Sequence, residues 1–393
     1  MIKKILIWLI IACLFLAFSL FGVMLWMYQI IEKGSVSFES DWIEIPYEYT
    51  SSGHIKIYLE VDGTKYPFIV DSGASNILFG DSQGLSNEFK GFSFSVDSND
   101  KPSFVKIRSV ESITIGTLTG NDLRFKIIEY SADCEGEAIG IIGKEAMRHH
   151  VWQFLPERNM IRIAKSQDHI THFPNEDTIK LRRNKYSHHL YARISIDGRK
   201  SNSYFVDTGS NGKITTPLDS TWKVQEASKV FGRTSKGLGG IDKTASYIFR
   251  IDSLNFKNGG GTKGPMDISV SDRKFKALGS AFLRNFNFTL DWKNKQMILA
   301  PLEKQRFIYR DFGARLNVDE DGVFVTTIIE NSSAYQAQLE VGQRIDKVNG
   351  VLASELDGCT LVEKVNESDT LKLTFKKEDE INSVNLLREN LFN

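Results

Sequence analysis

Cysteine is scarce in this sequence, which limits the covalent and metal chemistry that the chain can support. The 393 residues include three cysteines, at Cys13, Cys134 and Cys359. They form no Cys-x-x-Cys pair and show no Cys/His spacing typical of a metal site. At most one disulfide could form, between distant parts of the chain, and we interpret all three cysteines as free thiols. On this interpretation, packing stabilises the fold.

An excess of either charge is also absent. Lysine plus arginine and aspartate plus glutamate both number 49, so the formal net charge is zero. Without a basic surplus, the usual electrostatic attraction for nucleic acid is missing, and we expect no nucleic-acid partner. The pairs His149-His150 and His188-His189 have no carboxylate or thiol at metal-ligand spacing. We therefore expect no metal and no cofactor.

Charge is missing altogether from one long segment near the N-terminus. No charged residue lies between Ile5 and Ile31, whereas a bilayer requires about 20 apolar residues. No small-residue cleavage site is evident, so residues 1–34 are predicted to be an uncleaved membrane anchor. Lys3 and Lys4 precede the apolar run. The positive-inside rule therefore predicts a single-pass protein with the remaining chain on the extracytoplasmic side, periplasmic or extracellular.

Helical periodicity is rare after this segment, whereas a strand-like series occurs twice. "HIKIYLEV", "DGTK" and "YPFIV" lead into Asp71, and "HLYARISI", "DGRK" and "SYFV" lead into Asp207. Each series predicts a strand, a tight turn and a buried strand. Two units are too few for a solenoid, so we predict an all-β chain with two duplicated lobes that face each other. The same spacing of 136 residues separates Asp71 from Asp207, Gly143 from Gly279, and Arg148 from Arg284.

The repetition gives chemical meaning to the two aspartates. A single Asp before a Gly turn is a weak signal, because both residues are common in turns. Here each unit also contains a later apolar-apolar-Gly run, ending at Gly143 or Gly279. If the lobes pack about a pseudo-twofold axis, the carboxyl groups meet and share one proton, because two adjacent carboxylates cannot both ionise cheaply. Such a pair can activate a water molecule and donate a proton to a carbonyl group.

The segments "DSGAS", "DTGSN" and "ALGSAFLRNFNFTLDWKNKQMILAP" resemble those of aspartic proteases of the pepsin/retropepsin fold. The resemblance covers about Tyr47 to Pro301. It implies two β lobes, at 45–166 and 178–303, around an active-site cleft that binds a protein or peptide substrate. It further implies that Asp71 and Asp207 are the catalytic residues of an aspartic-type endopeptidase. By the same resemblance, Ser72 and Thr208 would crosslink the two turns by hydroxyl-to-backbone hydrogen bonds, and Gly73 and Gly209 would allow close backbone approach. The comparison of the two units adds Ser210, Gly143 and Gly279 as supporting residues of the site.

Two departures from that family pattern generate further expectations. The first unit lacks the flap Tyr of pepsin-like enzymes, so we consider "SKGLGGIDK" in the second unit, with Gly237, Gly239 and Gly240, as a candidate flap. The alternative is a flexible surface loop. The second unit has Ser210 where the first has Ala74. We expect the Ser210 hydroxyl to donate to Asp207 and to keep most of the negative charge of the pair there.

The segment 308–390 resembles a PDZ domain, which implies binding of a C-terminal peptide by strand addition. By this resemblance, backbone N–H groups near Phe312, Gly313 and Ala314 would bind the terminal carboxylate. The alternative is a packing domain that binds no peptide. The family frame corresponds here to Ser333-Ala334, Leu339, Gly342, Ile345 and Asn349-Gly350, with Gln338 and Gln343 replacing its usual Gly and Asp.

These patterns favour a membrane-anchored aspartic endopeptidase whose PDZ module binds a substrate or partner. The alternative is a membrane-anchored peptide-binding protein whose lobes have lost activity. The intact Asp-Ser-Gly and Asp-Thr-Gly sequences favour the enzyme, since an inactive lobe would be free to lose its aspartate. An intramembrane protease is disfavoured because both aspartates lie far from the apolar run.

Overall fold

The structure, a computed structural model, describes residues 2–80, 84–96, 102–130, 134, 136–233, 235–237, 240–378 and 380–392. About half of these residues lie in β-strands. We call residues 35–164 the first unit, 177–301 the second unit and 310–390 the third region. The helix that precedes the first unit and the elements of that unit are α1 (Ile2–Ile30), β1 (Ser35–Phe38), β2 (Trp42–Pro46), β3 (Glu48–Tyr49), β4 (Ile55–Val61), β5 (Thr64–Val70), β6 (Ile77–Phe79), β7 (Glu88–Val96), β8 (Pro102–Ile115), β9 (Leu118–Ile128), β10 (Gly140–Ile142), α2 (Lys144–Met147), β11 (Val151–Leu155) and β12 (Met160–Ala164).

The second unit and the third region are also mainly strands. The second unit contains β13 (Asp177–Lys180), β14 (Arg182–Arg183), β15 (Leu190–Ile196), β16 (Asn202–Asp207), β17 (Ile214–Pro217), β18 (Ser228–Gly232), β19 (Ser235–Gly237), β20 (Gly240–Asp242), β21 (Ser246–Phe256), β22 (Gly261–Ser271), β23 (Ala277–Gly279), α3 (Ser280–Leu283), β24 (Phe286–Asp291) and β25 (Gln296–Pro301). The third region contains β26 (Arg310–Asp311), β27 (Ala314–Asp319), β28 (Gly322–Ile329), α4 (Ser333–Gln336), β29 (Arg344–Ile345), β30 (Lys347–Val348), β31 (Val351–Leu352), α5 (Gly358–Asn366), β32 (Thr370–Lys377), β33 (Glu380–Leu387) and β34 (Glu389–Asn390).

Local sequence explains the hairpin that opens each unit. In β4 and β15 every second residue is buried, as expected for strands with one face on a core. Both hairpins turn on an Asp-Gly pair with positive φ at both residues, at Asp62-Gly63 and Asp197-Gly198. Asp-Gly is favoured in such two-residue turns because their backbone twist matches that of the flanking strands.

The two units repeat one strand topology. In the first unit β5 runs parallel to β10, which is antiparallel to β6, which is parallel to β9. In the second unit β16, β23, β17 and β22 make the same series of pairings. The aspartates follow or end the first strand of each series. The shared topology therefore places them at equivalent points of the two units.

A six-stranded sheet joins the units, in the order β13-β25-β24-β11-β12-β2. At its centre β11 and β24 are antiparallel, and Gln153 faces Thr289. Trp152 pairs with Leu290 on one side of this point and Phe154 pairs with Phe288 on the other. The pairing is thus symmetric about Gln153 and Thr289, which lie 136 residues apart like the two aspartates. Both units also share one hydrophobic core.

The third region has its own core and is nevertheless joined to the second unit by a strand pairing. Its core includes Phe312, Val325, Leu361 and Leu373. Strand β28 pairs with β18, so β27, β28 and β29 continue the sheet of the second unit. This pairing involves backbone groups that carry no sequence signature, and the sequence therefore did not predict it.

Helix α1 ends against the first unit. Ile30 and Ile31 are buried together with Ile107 of β8, and Glu32 forms an ion pair with Arg148. Among the helices in the described part of the chain, none has the combination of length and apolar character that a membrane span requires.

The interpretation of all cysteines as free thiols is wrong. Cys134 of the first unit and Cys359 of α5 form a disulfide, with Cα atoms 4.5 Å apart. The two residues are 225 positions apart in sequence, and only the packing of the third region against the first unit brings them together. Cys13 is free and exposed.

We expect this disulfide to contribute about 2–4 kcal/mol to the free energy of unfolding, because it closes a long loop in the unfolded chain. Cys359→Ser should lower the stability measured by denaturant titration by about that amount, whereas the control Cys13→Ser should not. In denatured, unreduced protein, iodoacetamide should modify Cys13 alone. Modification of all three cysteines without reductant would contradict the crosslink.

Candidate active site

The two aspartates lie at matching strand ends. Asp71 directly follows β5, and Asp207 is the last residue of β16. Behind each strand end, a glycine passes close to the turn. A Cβ at Gly143 would overlap the backbone of Ala74 and Ser75, and a Cβ at Gly279 would overlap the Gly212 carbonyl. The late apolar-apolar-Gly run in each unit thus packs directly against the Asp-bearing turn.

A set of four hydrogen bonds joins the two turns. The Thr208 hydroxyl accepts from the Ser72 N–H at 2.9 Å and donates to the Val70 carbonyl at 3.0 Å. The Ser72 hydroxyl accepts from the Thr208 N–H at 3.0 Å and donates to the Val206 carbonyl at 3.0 Å. Ser72 and Thr208 are fully buried. Each hydroxyl therefore satisfies two backbone groups of the opposite unit that water cannot reach.

The glycines after Ser72 and Thr208 hold the carboxyl groups close together. The Gly73 N–H donates to Asp71 Oδ1 at 2.7 Å, and the Gly209 N–H donates to Asp207 Oδ1 at 3.0 Å. Each glycine also lies against the opposite carboxyl group. A Cβ at Gly73 would stand 2.5 Å from Asp207 Oδ1, and one at Gly209 would overlap the Asp71 carboxylate. Only glycine leaves room for the two carboxyl groups to meet, which they do through a hydrogen bond.

The surroundings of Asp207 bear on the expectation that it carries most of the negative charge, which stays a prediction. Asp207 is 9% exposed, whereas Asp71 is less buried. Burial, followed by the charge of the neighbouring Asp71, raises the pKa of Asp207 well above its ordinary value. The raised pKa favours the protonated form of Asp207. Asp207 accepts a hydrogen bond from the backbone of Ser210, not from its hydroxyl.

An open cleft of about 1670 Å³ contains both aspartates. Residues of both units and of the third region line it, among them Asp311, Arg315 and Val362 of the third region. The β7–β8 hairpin of the first unit contributes Phe94 and Phe104, whose rings are in edge contact. This hairpin supplies aromatic side chains above the cleft, although it has no Tyr.

The candidate flap of the second unit forms a separate two-stranded hairpin. Gly237 and Gly240 pair across β19 and β20, and Gly239 lies outside the described residues. Among the residues described around this hairpin, Arg233 is at the cleft. The flap assignment of this hairpin stays a prediction.

His54 is a residue near the pair that the sequence interpretation missed. Its Nδ1 lies 2.9 Å from the Ser52 hydroxyl and 3.5 Å from Asn211 Nδ2. The His54 ring also hydrogen-bonds to the Gly209 backbone and lies close enough to Asp71 to interact with it electrostatically. Burial lowers the pKa of His54, so the ring is neutral near pH 7. It thus connects the β4 end of the first unit to the Asp207 turn. A single histidine in a strand-like stretch gives no sequence signal of this contact.

Lys144 and Glu145 form a second missed network, behind the Asp71 turn. Glu145 accepts from Lys144 Nζ at 2.8 Å and from the Asn76 N–H at 2.8 Å. Lys144 also donates to the Ser75 hydroxyl at 2.9 Å. At the equivalent positions the second unit has Ser280, whose N–H and hydroxyl donate to the Ser210 carbonyl, and Ala281. The difference between "GKEA" and "GSAF" was the available signal.

The proposed carboxylate-binding N–H groups of the third region are partly occupied. The Gly313 N–H donates to the side chain of Asp311 at 2.9 Å. Phe312 is buried against the core, and Ala314 begins β27, where it pairs with Ile328. An incoming terminal carboxylate would have to displace Asp311 from the Gly313 N–H.

The chemistry available to this arrangement is acid–base catalysis. Asp71 and Asp207 both line the cleft, and the raised pKa of Asp207 favours its protonated form. A water molecule between them could lose a proton to one carboxylate while the other carboxyl group donates.

We expect Thr208→Val to destabilise the protein, because it leaves the Ser72 N–H and the Val70 carbonyl without a partner. Each unpaired buried group should cost about 1–3 kcal/mol in the free energy of unfolding. Thr208→Ser retains the hydroxyl and is the matched control. Equal stability of the Val and Ser variants in urea titration would contradict a structural role of the crosslink.

Asp207→Asn should stabilise the protein at about pH 8 and have little effect near pH 3. With its raised pKa, Asp207 binds its proton more tightly in the folded than in the unfolded state. That contribution is complete below the ordinary Asp pKa, and it is lost as the pH rises through the folded-state pKa. Asn has no proton to lose. Thermal unfolding across this pH range, with the exposed Asp41→Asn as control, checks the result. A pH-independent difference would be inconsistent with it.

Comparisons with known proteins give a distant structural similarity and no match by family or to curated proteins. No protein-family model matches the chain, and no curated protein matches it. Among solved structures it is similar to basic 7S globulin from soybean, with 10% sequence identity and a TM-score of 0.43. The match covers 66% of this chain and 94% of the globulin chain. At that TM-score the similarity assigns neither a family nor an activity.

Proposed function

We propose that the chain is an aspartic endopeptidase with two pepsin/retropepsin-like lobes and a PDZ-like third region. One observation carries the proposal. Two aspartates from topologically equivalent turns meet across a pseudo-twofold axis, in a cleft that both units line. The hydroxyl crosslinks of Ser72 and Thr208 and the close approach of Gly73 and Gly209 support it. Such an arrangement places two acidic groups side by side and buries one of them, at a cost in stability that a purely structural site would avoid.

In the proposed mechanism, Asp71 is the general base and Asp207 the general acid. Asp71 takes a proton from a water molecule, whose oxygen attacks the carbonyl carbon of the peptide bond. Asp207 donates its proton to the carbonyl oxygen, which gives a neutral tetrahedral diol. Collapse of the diol transfers a proton to the amide nitrogen and breaks the C–N bond. Neither a covalent intermediate nor a metal takes part.

We also propose that residues 1–34 anchor the protein in a membrane, with the catalytic part on the extracytoplasmic side. The uncharged run from Ile5 to Ile31 motivates the anchor. The Cys134–Cys359 disulfide supports an oxidising compartment, because such crosslinks persist outside the reducing cytosol. For the third region we propose strand addition at β27, which pairs with β28 on one side in the described sheets.

Asp71→Asn and Asp207→Asn should each reduce cleavage of an unfolded protein substrate by about 10²–10⁴-fold or more, since each removes an acid–base group. Asp41→Asn, which alters an exposed ion pair with Lys165, is the matched control and should retain activity. Pepstatin-type inhibitors should block the wild type. Assays from acidic to neutral pH cover the range in which the pair holds one proton. Wild-type protein that cleaves no substrate in this range would overturn the proposal and favour the inactive peptide-binding protein.

A further inference from the structure

Lys126 lies in the cleft beside the Asp71 turn. It belongs to β9, and its backbone N–H donates to the Asn76 carbonyl at 2.9 Å, five residues after the catalytic aspartate. The side chains of Lys126, Lys144 and Glu145 all line the cleft together with Ser75. This cluster therefore stands next to the place where the two carboxyl groups meet.

The cluster contains two ammonium groups and one carboxylate. Both Glu145 oxygens are occupied, one by Lys144 Nζ and the other by the Asn76 N–H, each at 2.8 Å. Lys144 in turn has strong partners in Glu145 and the Ser75 hydroxyl. Glu145 thus neutralises the charge of Lys144 through one oxygen, and its other oxygen accepts the hydrogen bond from the segment that follows Asp71.

Lys126 is the less compensated cation of the cluster. Its Nζ makes two long contacts, 3.4 Å each, to the Phe94 carbonyl and the Ser95 hydroxyl. Burial, and then the positive charge of Lys144, lowers the pKa of Lys126 to about 8. His189 adds no further positive charge, because burial lowers its pKa and leaves it neutral. Among the described residues, Lys126 thus shares the charge of Glu145 with Lys144 and forms no ion pair of its own.

We propose that Lys126 binds a carboxylate of the peptide substrate next to the bond that is cleaved, and so selects acidic peptides. The inference rests on the proposed peptidase function. Three features of the Lys126 site favour the binding of an anion: an ammonium group with only long hydrogen bonds, a second cation close by, and a partly enclosed position at the hairpin that contains Phe94 and Phe104. Charge-assisted hydrogen bonds in such low-dielectric surroundings are stronger than neutral ones. The carboxylate can come from a Glu or Asp side chain or from the C-terminus of a short product-like peptide.

The position of the cluster makes the cleft unequal along its length. The second unit has Ser280 and Ala281 at the positions of Lys144 and Glu145, so the pseudo-twofold axis does not generate a second cluster of this kind. A carboxylate bound at Lys126 would orient the peptide in one direction across two nearly equivalent aspartates. The basic cluster would thus contribute to substrate orientation as well as to affinity.

Peptide binding to the Asp71→Asn protein tests the inference without requiring cleavage. Matched peptides carry Glu or Gln at single positions, and a neutral peptide carries either a free or an amidated C-terminus. The Glu peptide at one position should bind about tenfold or more tightly than its Gln partner, as expected for one charge-assisted hydrogen bond. If the free C-terminus gives the preference instead, the terminal carboxylate is the ligand. Anisotropy titrations provide the dissociation constants.

Lys126→Gln in the same background should reduce the Glu/Gln affinity ratio to near one, and Lys126→Arg should restore most of it. Lys276→Gln is the matched control, because Lys276 also lines the cleft but donates to Asn202. It should keep the full ratio. Equal ratios in the Lys126→Gln and parent proteins, or no acidic preference in the parent, would overturn the inference. Cleavage of the same peptides by the wild type tests the peptidase function separately, so the two proposals can fail independently.

Discussion

The reciprocal hydrogen bonds made by the Ser72 and Thr208 hydroxyls are the constraint on which the rest of the site depends. They fix the backbone of Val70 to that of Thr208 and the backbone of Val206 to that of Ser72, all within a buried layer. Because the bonds are reciprocal, the two turns must approach as equivalents about a twofold axis, which requires two units of the same topology. This geometry brings the carboxyl groups of Asp71 and Asp207 close together. Their repulsion is relieved by one shared proton and by the N–H groups of Gly73 and Gly209.

The two Asp-bearing turns have similar backbones, but the side chains around them differ between the two units. These differences determine the electrostatic surroundings of each carboxyl group. Asp207 is the more buried carboxyl group and has a raised pKa, while Asp71 lines the cleft together with the cations of the first unit. The buried pair of Lys144 and Glu145 replaces a simple serine contact in the second unit. A buried ion pair contributes little net stability compared with apolar packing. Its value here is that Glu145 holds the Asn76 N–H and thereby the Asp71 turn.

The sequence predicted those features that local patterns encode. The Asp-Gly hairpins and the two Asp-Ser/Thr-Gly turns are short segments whose local structure follows from their own residues. Their recurrence at a spacing of 136 residues indicated the two similar units. The disulfide and the β18–β28 pairing join segments far apart in the chain, and neither has a local signal. The direction in which the pKa of Asp207 is shifted could not be predicted from the sequence for a related reason. A hydroxyl at Ser210 suggested stabilisation of a charge on Asp207, but burial opposes that charge, and burial is a property of the whole fold.

The third region is attached on both sides of the cleft, and this limits how the cleft can open. Strand β28 continues the sheet of the second unit through β18, whereas the disulfide from α5 reaches the first unit at Cys134. A hydrogen bond from Asn366 Nδ2 to the Ser51 carbonyl, at 3.2 Å, adds to the contact with the first unit. The disulfide to the first unit and the strand pairing with the second unit together restrict movement of the third region relative to both units. Val362 of α5 and Arg315 of β27 line the cleft. Because each attachment joins the third region to a different unit, this region cannot move away from the cleft as a rigid body unless the disulfide or the β18–β28 pairing breaks.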